Sequence, residues 1–142
     1  DDKKALIEAV KEGIIDCIAT DHAPHATEDK EKDIKHAPCG MIGLESAYGL
    51  VNKTLNKAKM SSKSIIDLFT INPSKVINIQ PNCIKEGNNA ELNIIDPEYK
   101  WQFTTKSIQS KSKNSPIIGM QLYGKVLTTI NKGFISSRFR TS

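Results

Sequence analysis

The run Ile14-Ile15-Asp16-Cys17-Ile18-Ala19-Thr20, followed at once by Asp21-His22-Ala23-Pro24-His25, constrains the fold of this chain more than any other stretch. A short apolar run rich in β-branched residues predicts a strand buried on both faces, as in a parallel sheet. Ahead of it, Leu6, Ile7 and Val10 recur at helical spacing with the small Ala5 and Ala9. Acids open that stretch and Gly13 supplies a left-handed stop, so a helix is expected from Asp2 to Glu12. Helix, glycine and buried strand make half of a βα repeat. In α/β folds the carboxyl ends of strands are where chemistry collects. Here an acid, two imidazoles and a proline stand at such an end.

Residues 21–40 read as a long loop, and loops beyond ~12–15 residues in compact domains usually have a function or are disordered. Its middle, Glu28-Asp29-Lys30-Glu31-Lys32-Asp33, is charged and solvated, whereas His22-Ala23-Pro24 and Pro38-Cys39-Gly40 are stiff enough to shape a site. Leu44, Ala47, Tyr48, Val51, Leu55 and Ala58 then trace one face of a helix. Ser61 or Ser62 caps the next, which carries Ile65, Ile66, Leu68 and Phe69. Asn72-Pro73 is expected to end that helix and start a short successor, Pro73 to Ile79.

The pattern changes after Gln80-Pro81. Gly87-Asn88-Asn89 predicts a turn, and Ala90 to Ile95 a strand closed by Asp96-Pro97. Tyr99 to Phe103 alternates as a half-buried strand does. Ser- and Lys-rich residues 105–114 read as a loop, and Leu122–Ile130 with Phe134-Ile135 as a hairpin around Asn131-Lys132-Gly133. Two domains are therefore expected, α/β over residues 1–79 and mostly β over residues 80–142.

Bulk properties narrow the partners. The net charge of +4 comes almost wholly from lysines scattered among acids, with Arg138 and Arg140 the only arginines, so no nucleic-acid footprint is expected. Three widely spaced cysteines without a C-x-x-C pair fit a reducing compartment better than a disulfide framework. No apolar run approaches the ~20 residues of a membrane span and no signal peptide opens the chain, so a cytoplasmic location and no membrane partner are expected. The opening Asp1-Asp2-Lys3-Lys4 runs directly into a helix and lacks methionine, as a piece of a longer chain would.

Each site residue has a plain reading beside the chemical one. Asp21 is of a type favoured in turns, and His22 and His25 could be surface imidazoles. The two histidines lack the i,i+4 geometry of helical zinc motifs, and a structural zinc on His22, His25, His36 and Cys39 matches no common finger spacing. Cys39 as a nucleophile has no assignable activating partner. Together, however, these residues suit a hydrolytic site. An aspartate at a strand end can take a proton from an activated water and return it to a leaving nitrogen. An imidazole four residues later can meet a carboxylate, and a Pro-x-Gly turn can offer bare backbone groups to a planar amide ring.

Thr20-Asp21-His22-Ala23-Pro24-His25, with Glu28, Lys30, Ala37-Pro38-Cys39-Gly40 and Gly43-Leu44-Glu45, closely resembles the last barrel strand and following loop of dihydroorotases, of the amidohydrolase superfamily. The resemblance continues through Asn72-Pro73-Ser74-Lys75, Ala90-Glu91-Leu92, Ile95-Asp96-Pro97, Ser115-Pro116 and Leu122-Tyr123-Gly124-Lys125-Val126. It implies the C-terminal part of a (β/α)8 TIM barrel of the metal-dependent hydrolase type, starting near its seventh helix, followed by C-terminal strands of a small β-sandwich.

The implied reaction is reversible hydrolysis of dihydroorotate to N-carbamoyl-aspartate in pyrimidine biosynthesis, with zinc, usually two ions, as cofactor and a zinc-bound hydroxide as attacking group. Asp21 matches the family's metal-ligand aspartate and general acid/base, and His25 the histidine that holds the substrate carboxylate. Cys39 and Gly40 match the pair whose backbone meets the pyrimidine ring, although the family often has an aromatic at the Cys39 position. The His-x-His, the bridging carboxylated lysine and the further histidines of the family's metal centre have no match here. The segment alone is therefore expected to be inactive. Implied partners are a small-molecule substrate and either a second copy or a pyrimidine-pathway enzyme. The alternatives are another cyclic amidase, hydantoinase or allantoinase, and a non-catalytic scaffold subunit.

Overall fold

The computed structural model describes residues 1–137; the last residues of the expected 80–142 domain lie outside that range. Helix α1, Asp2–Lys11, ends at Glu12 and Gly13 as its sequence requires, with the Gly13 N–H donating to the carbonyl of Val10 at 3.2 Å. A short turn of helix, α2, Thr27–Lys30, lies inside the long loop. Helix α3, Ala47–Lys57, turns Tyr48, Val51 and Leu55 of the expected apolar stripe to the core, whereas Leu44 precedes the helix and is 63% exposed. Helix α4, Ser62–Asp67, is capped by Ser61, whose hydroxyl oxygen accepts from the Ser64 N–H at 3.1 Å.

Helix α5, Ile71–Val76, begins two residues earlier than Pro73. Proline still falls in its first turn, where its missing N–H costs nothing. Asn72 does not serve as a cap: its amide reaches across to the Asp16 carbonyl at 2.9 Å.

The chain from Ile14 to Thr20 forms no ladder, contrary to the buried strand expected from its composition. Within this segment the Ile18 N–H is held by the Leu68 carbonyl at 3.0 Å, and Ile15 and Ile18 pack on the second of the two cores below. Ile14 remains 69% exposed. A strand's apolar faces are covered only when neighbouring strands and helices stand beside it, and none of the described residues does so.

Three antiparallel strands make the single sheet among the described residues, in the order β1 (Leu92–Gln102), β2 (Gln121–Asn131), β3 (Phe134–Ser137). Asp96-Pro97 does not close β1. The strand shifts register between Asp96 and Lys100 and resumes pairing with β2, from Leu92 opposite Ile130 to Gln102 opposite Gln121. The irregularity removes the proline from the ladder, where it could not donate. The Asp96 carboxylate accepts from the Glu98 N–H at 2.9 Å and steadies the kink.

Helix α3 lies against β2 through a pair of glycines. A Cβ on Gly49 would come within 3.1 Å of the Gly124 carbonyl oxygen, and one on Gly124, whose φ is +89°, within 2.7 Å of the Tyr48 ring. The fully buried Asn52 fastens this contact by donating to the carbonyls of Pro97 at 2.9 Å and Tyr123 at 3.0 Å. Two apolar clusters result. Ile42, Phe103, Ile108, Ile117 and Leu122 join the loop after the long segment to the sheet, and Val10, Leu55, Ile65 and Leu68 join the helices.

Candidate functional site

The left-handed backbone at Asp21, φ +42°, is the local oddity from which the site is built. Among the described residues three other non-glycine residues have positive φ: Lys59 and Asn78 just beyond helix ends and Lys132 in the hairpin turn, positions where such geometry is routine. Asp21 stands at neither kind of place. Its conformation costs about 1–2 kcal/mol for an L-residue and persists only because the surroundings impose it.

Those surroundings are the return of the long loop. Immediately after Asp21, His22 runs parallel to Met41 and the Ala23 N–H donates to the Met41 carbonyl at 2.9 Å. The His22 Nδ1 accepts from the N–H groups of Gly43 at 3.1 Å and Leu44 at 3.3 Å, so its proton sits on Nε2 in the neutral ring. Gly43 itself is pressed against Thr20, with no room for a side chain without displacement. These contacts fold the loop's second end back beside its first.

The result brings His25, Cys39 and Gly40 together. The half-buried His25 donates from Nε2 to the Cys39 carbonyl at 2.9 Å, leaving Nδ1 without a partner among the described residues. A carboxylate bound at Nδ1 would require the imidazolium, in which both nitrogens donate. Gly40 has φ +111°, and a Cβ there would sit 2.6 Å from the Ala23 Cβ and 3.5 Å from His25 Nε2. Asp21 lies exposed at the head of the same segment, with no side-chain partner among the described residues. His36 is drawn away to the Asp33 carboxylate at 2.8 Å, a contact that holds the Asp33 carboxyl below its ordinary value. The Cys39 thiol is free and exposed.

Contacts that sequence reasoning missed come from two directions. Lys30, from the charged middle of the loop, donates to the carbonyls of Pro38 at 2.8 Å and Gly40 at 3.1 Å. Asn114, from the Ser/Lys-rich stretch, donates to the carbonyls of Gly40 at 3.1 Å and Ala23 at 3.4 Å, and its own carbonyl accepts from the Ile42 N–H at 3.0 Å. Glu45 anchors that stretch through Oε1, which accepts from the N–H groups of Gln109 at 3.0 Å and Ser110 at 2.7 Å. Burial alone would raise the Glu45 carboxyl. The backbone bonds from Ser110 and Gln109, with the nearby His22, outweigh it and leave the group below its ordinary value. The side-chain pairings of Glu45 and Asn114 link positions 64–91 apart in sequence, and no local pattern announces them.

No group of three or more His, Cys, Asp or Glu side chains among the described residues is placed to hold a metal ion. Asp21 offers one hard carboxylate, whereas a zinc site takes about four ligands. The donors present therefore do not make a metal site, including the set His22, His25, His36 and Cys39. Among the described residues no helix is long and apolar enough to cross a membrane.

Residues 1–135 match the sequence model of the Amidohydrolase family. The chain is 44% identical to a dihydroorotase of Clostridium acetobutylicum, over 95% of this chain and 32% of that protein. It is also 44% identical to a dihydroorotase of Aquifex aeolicus, over 94% of this chain and 31% of that protein. Among solved structures, a D-hydantoinase (dihydropyrimidinase) from Thermus sp. superposes with a TM-score of 0.81 at 22% identity, covering 95% of this chain and 31% of that one. The chain thus spans about a third of the length of these proteins. The likeness bears out the expected fold class, part of an amidohydrolase (β/α)8 barrel followed by strands of a small β domain.

Proposed function

The chain belongs to the amidohydrolase family, and from that premise we propose that the full-length protein carrying this segment is a dihydroorotase, opening the cyclic amide of dihydroorotate to N-carbamoyl-aspartate and closing it again. The observation that supports this most is the convergence of His25 with the Cys39-Gly40 turn, at 2.9 Å, on the loop headed by Asp21. One imidazole and one stretch of bare main chain are what an anionic, planar, amide-bearing ring needs for recognition. The identity to dihydroorotases points the same way.

In this reading the roles divide by chemistry. As the oxygen nucleophile adds to the ring carbonyl carbon, Asp21 takes the proton it sheds. When the tetrahedral centre collapses and the carbon–nitrogen bond breaks, Asp21 gives that proton to the departing nitrogen. His25 holds the carboxylate, which is common to the ring and open-chain forms, and the main chain of Cys39 and Gly40 aligns the ring. Zinc belongs to the proposal as the Lewis acid with which a single aspartate would be shared, the remaining ligands coming from outside the described residues. Residues 1–79 would be the barrel portion and 80–142 the β portion, with the cytoplasm as the place of action.

A substrate panel on the full-length protein tests this. Dihydroorotate should be turned over with a kcat/KM far above that for hydantoin, dihydrouracil or allantoin. Preference for one of those rings would make the protein a different cyclic amidase. A properly folded, metal-loaded protein that hydrolyses none of them would support a scaffold role instead.

A further inference from the structure

Every carbonyl of the Pro38-Cys39-Gly40 turn is already occupied by a side-chain donor. Pro38 O accepts from Lys30, Cys39 O from His25, and Gly40 O from both Lys30 and Asn114. The main-chain N–H groups of Cys39 and Gly40, both on exposed residues, donate to nothing among the described residues. A turn offers both polarities to a ligand unless one is taken. A carbonyl oxygen has two lone pairs; both are taken at Gly40, while Pro38 O and Cys39 O, each with one donor, keep one.

We propose that Lys30 and Asn114 are positioning residues that close the Gly40 carbonyl, so that Gly40 meets a ligand through its N–H and selects a group presenting a carbonyl oxygen there rather than an N–H. The inference rests on the dihydroorotase reading and names which edge of the cyclic amide the turn would meet. Lys30 suits the task because an ammonium has three donors and no acceptor. Its ammonium bridges the carbonyls of Pro38 at 2.8 Å and Gly40 at 3.1 Å. Asn114 must present its NH2 group, since both its partners there are carbonyls, and Ser112 fixes that orientation by donating its hydroxyl to Asn114 Oδ1.

Asn114 is itself held rigidly. The loop that carries it is closed at its ends, the Phe103 N–H donating to Met120 O at 2.9 Å and the Gly119 N–H to Phe103 O at 2.7 Å. Ile108 and Ile117 are buried beneath it. Glu45 pins its middle through two N–H groups, and the Lys113 ammonium donates to the carbonyls of Ile108 and Ser110, each at 2.9 Å. The turn is thus set from one side by the loop's own lysine and from the other by a packed segment of the β portion.

The test uses the full-length enzyme and initial rates in both directions, with dihydroorotate and with N-carbamoyl-aspartate. Lys30→Met and Asn114→Ala should each raise KM about tenfold or more in both directions while kcat stays within about threefold, because alignment is lost and the proton shuttle is not. Asn114→Asp, which keeps the shape but faces two carbonyls with a carboxylate, should raise KM further. Lys30→Arg should recover most of the loss, since a guanidinium can donate to both carbonyls.

A merely structural role predicts a lower melting temperature and a smaller active fraction, with kcat falling at constant KM, and that result would overturn the proposal. So would unchanged KM in Lys30→Met, the variant to rely on if Asn114→Ala fails to fold. If the wild type ignores dihydroorotate but opens another cyclic amide, the functional reading fails, and the same KM split on that substrate still decides the positioning role.

Discussion

Replacing Gly40 by alanine asks whether the turn's geometry serves the site. The added methyl would lie 2.6 Å from the Ala23 Cβ, whereas carbon atoms rest at ~3.5–4.0 Å, so the two must part by about 1 Å. Ala23 cannot simply yield, because its N–H is bonded to Met41 at 2.9 Å. The backbone resists as well: a φ of +111° is a region that alanine occupies only at a cost of about 1–3 kcal/mol. Overpacking adds a further ~1–3 kcal/mol. A total of about 2–6 kcal/mol exceeds what an exposed turn needs to rearrange, so the turn should move and the two cores remain. If the cost falls on substrate alignment, kcat/KM drops about thirtyfold or more.

The assay is kcat/KM on the full-length enzyme beside a thermal melt, for Gly40→Ala alone and combined with Ala23→Gly. The second change removes the contact and leaves the φ strain, so it should restore part of the lost activity. A Gly40→Ala enzyme within about threefold of wild type in kcat/KM would falsify the reasoning.

Other expectations follow from single residues. Asp21→Asn keeps shape but cannot accept the proton, so kcat should fall by at least ~10²–10⁴, whereas His25→Ala should raise KM in both directions. Near-normal turnover in Asp21→Asn would reverse the assigned roles. Because the Glu45 carboxyl is lower in the folded chain than its ordinary 4.5, its stabilisation is present above the unfolded pKa and is lost as pH falls through the folded one. The melting-temperature gap between wild type and Glu45→Gln should therefore close on acidification below pH ~4.5, and a gap that widened there would contradict the sign. Finally, Ile14, Ile34, Val76, Ile77 and Ile79 are each more than half exposed, so the isolated 142-residue chain should self-associate. A monodisperse monomer in sedimentation velocity would contradict this.

What the sequence determined by itself is what depends on near neighbours. The helices over 2–11, 47–57 and 62–67 were legible because their apolar spacing, the Ser61 cap and the Gly13 stop act within a turn or two of the backbone. The hairpin at Asn131-Lys132-Gly133 was legible for the same reason. The chemical types at the candidate site, Asp21, His25, Cys39 and Gly40, could be named from composition at a strand's end and from resemblance.

Tertiary structure alone decided the rest. Ile14–Thr20 has strand-like residues yet no ladder, because a ladder belongs to two segments and no second one stands beside it among the described residues. Asp96-Pro97 reads locally as a stop, but β2 and Asn52 carry β1 past it through a shift in register. The left-handed Asp21, the Lys30 and Asn114 donors on Gly40, and the Glu45 anchor of the 109–110 backbone join residues that no periodicity connects. Hydrogen bonds between distant segments need those segments held at bonding distance, and the apolar clusters around Phe103 and Leu55 are what hold them.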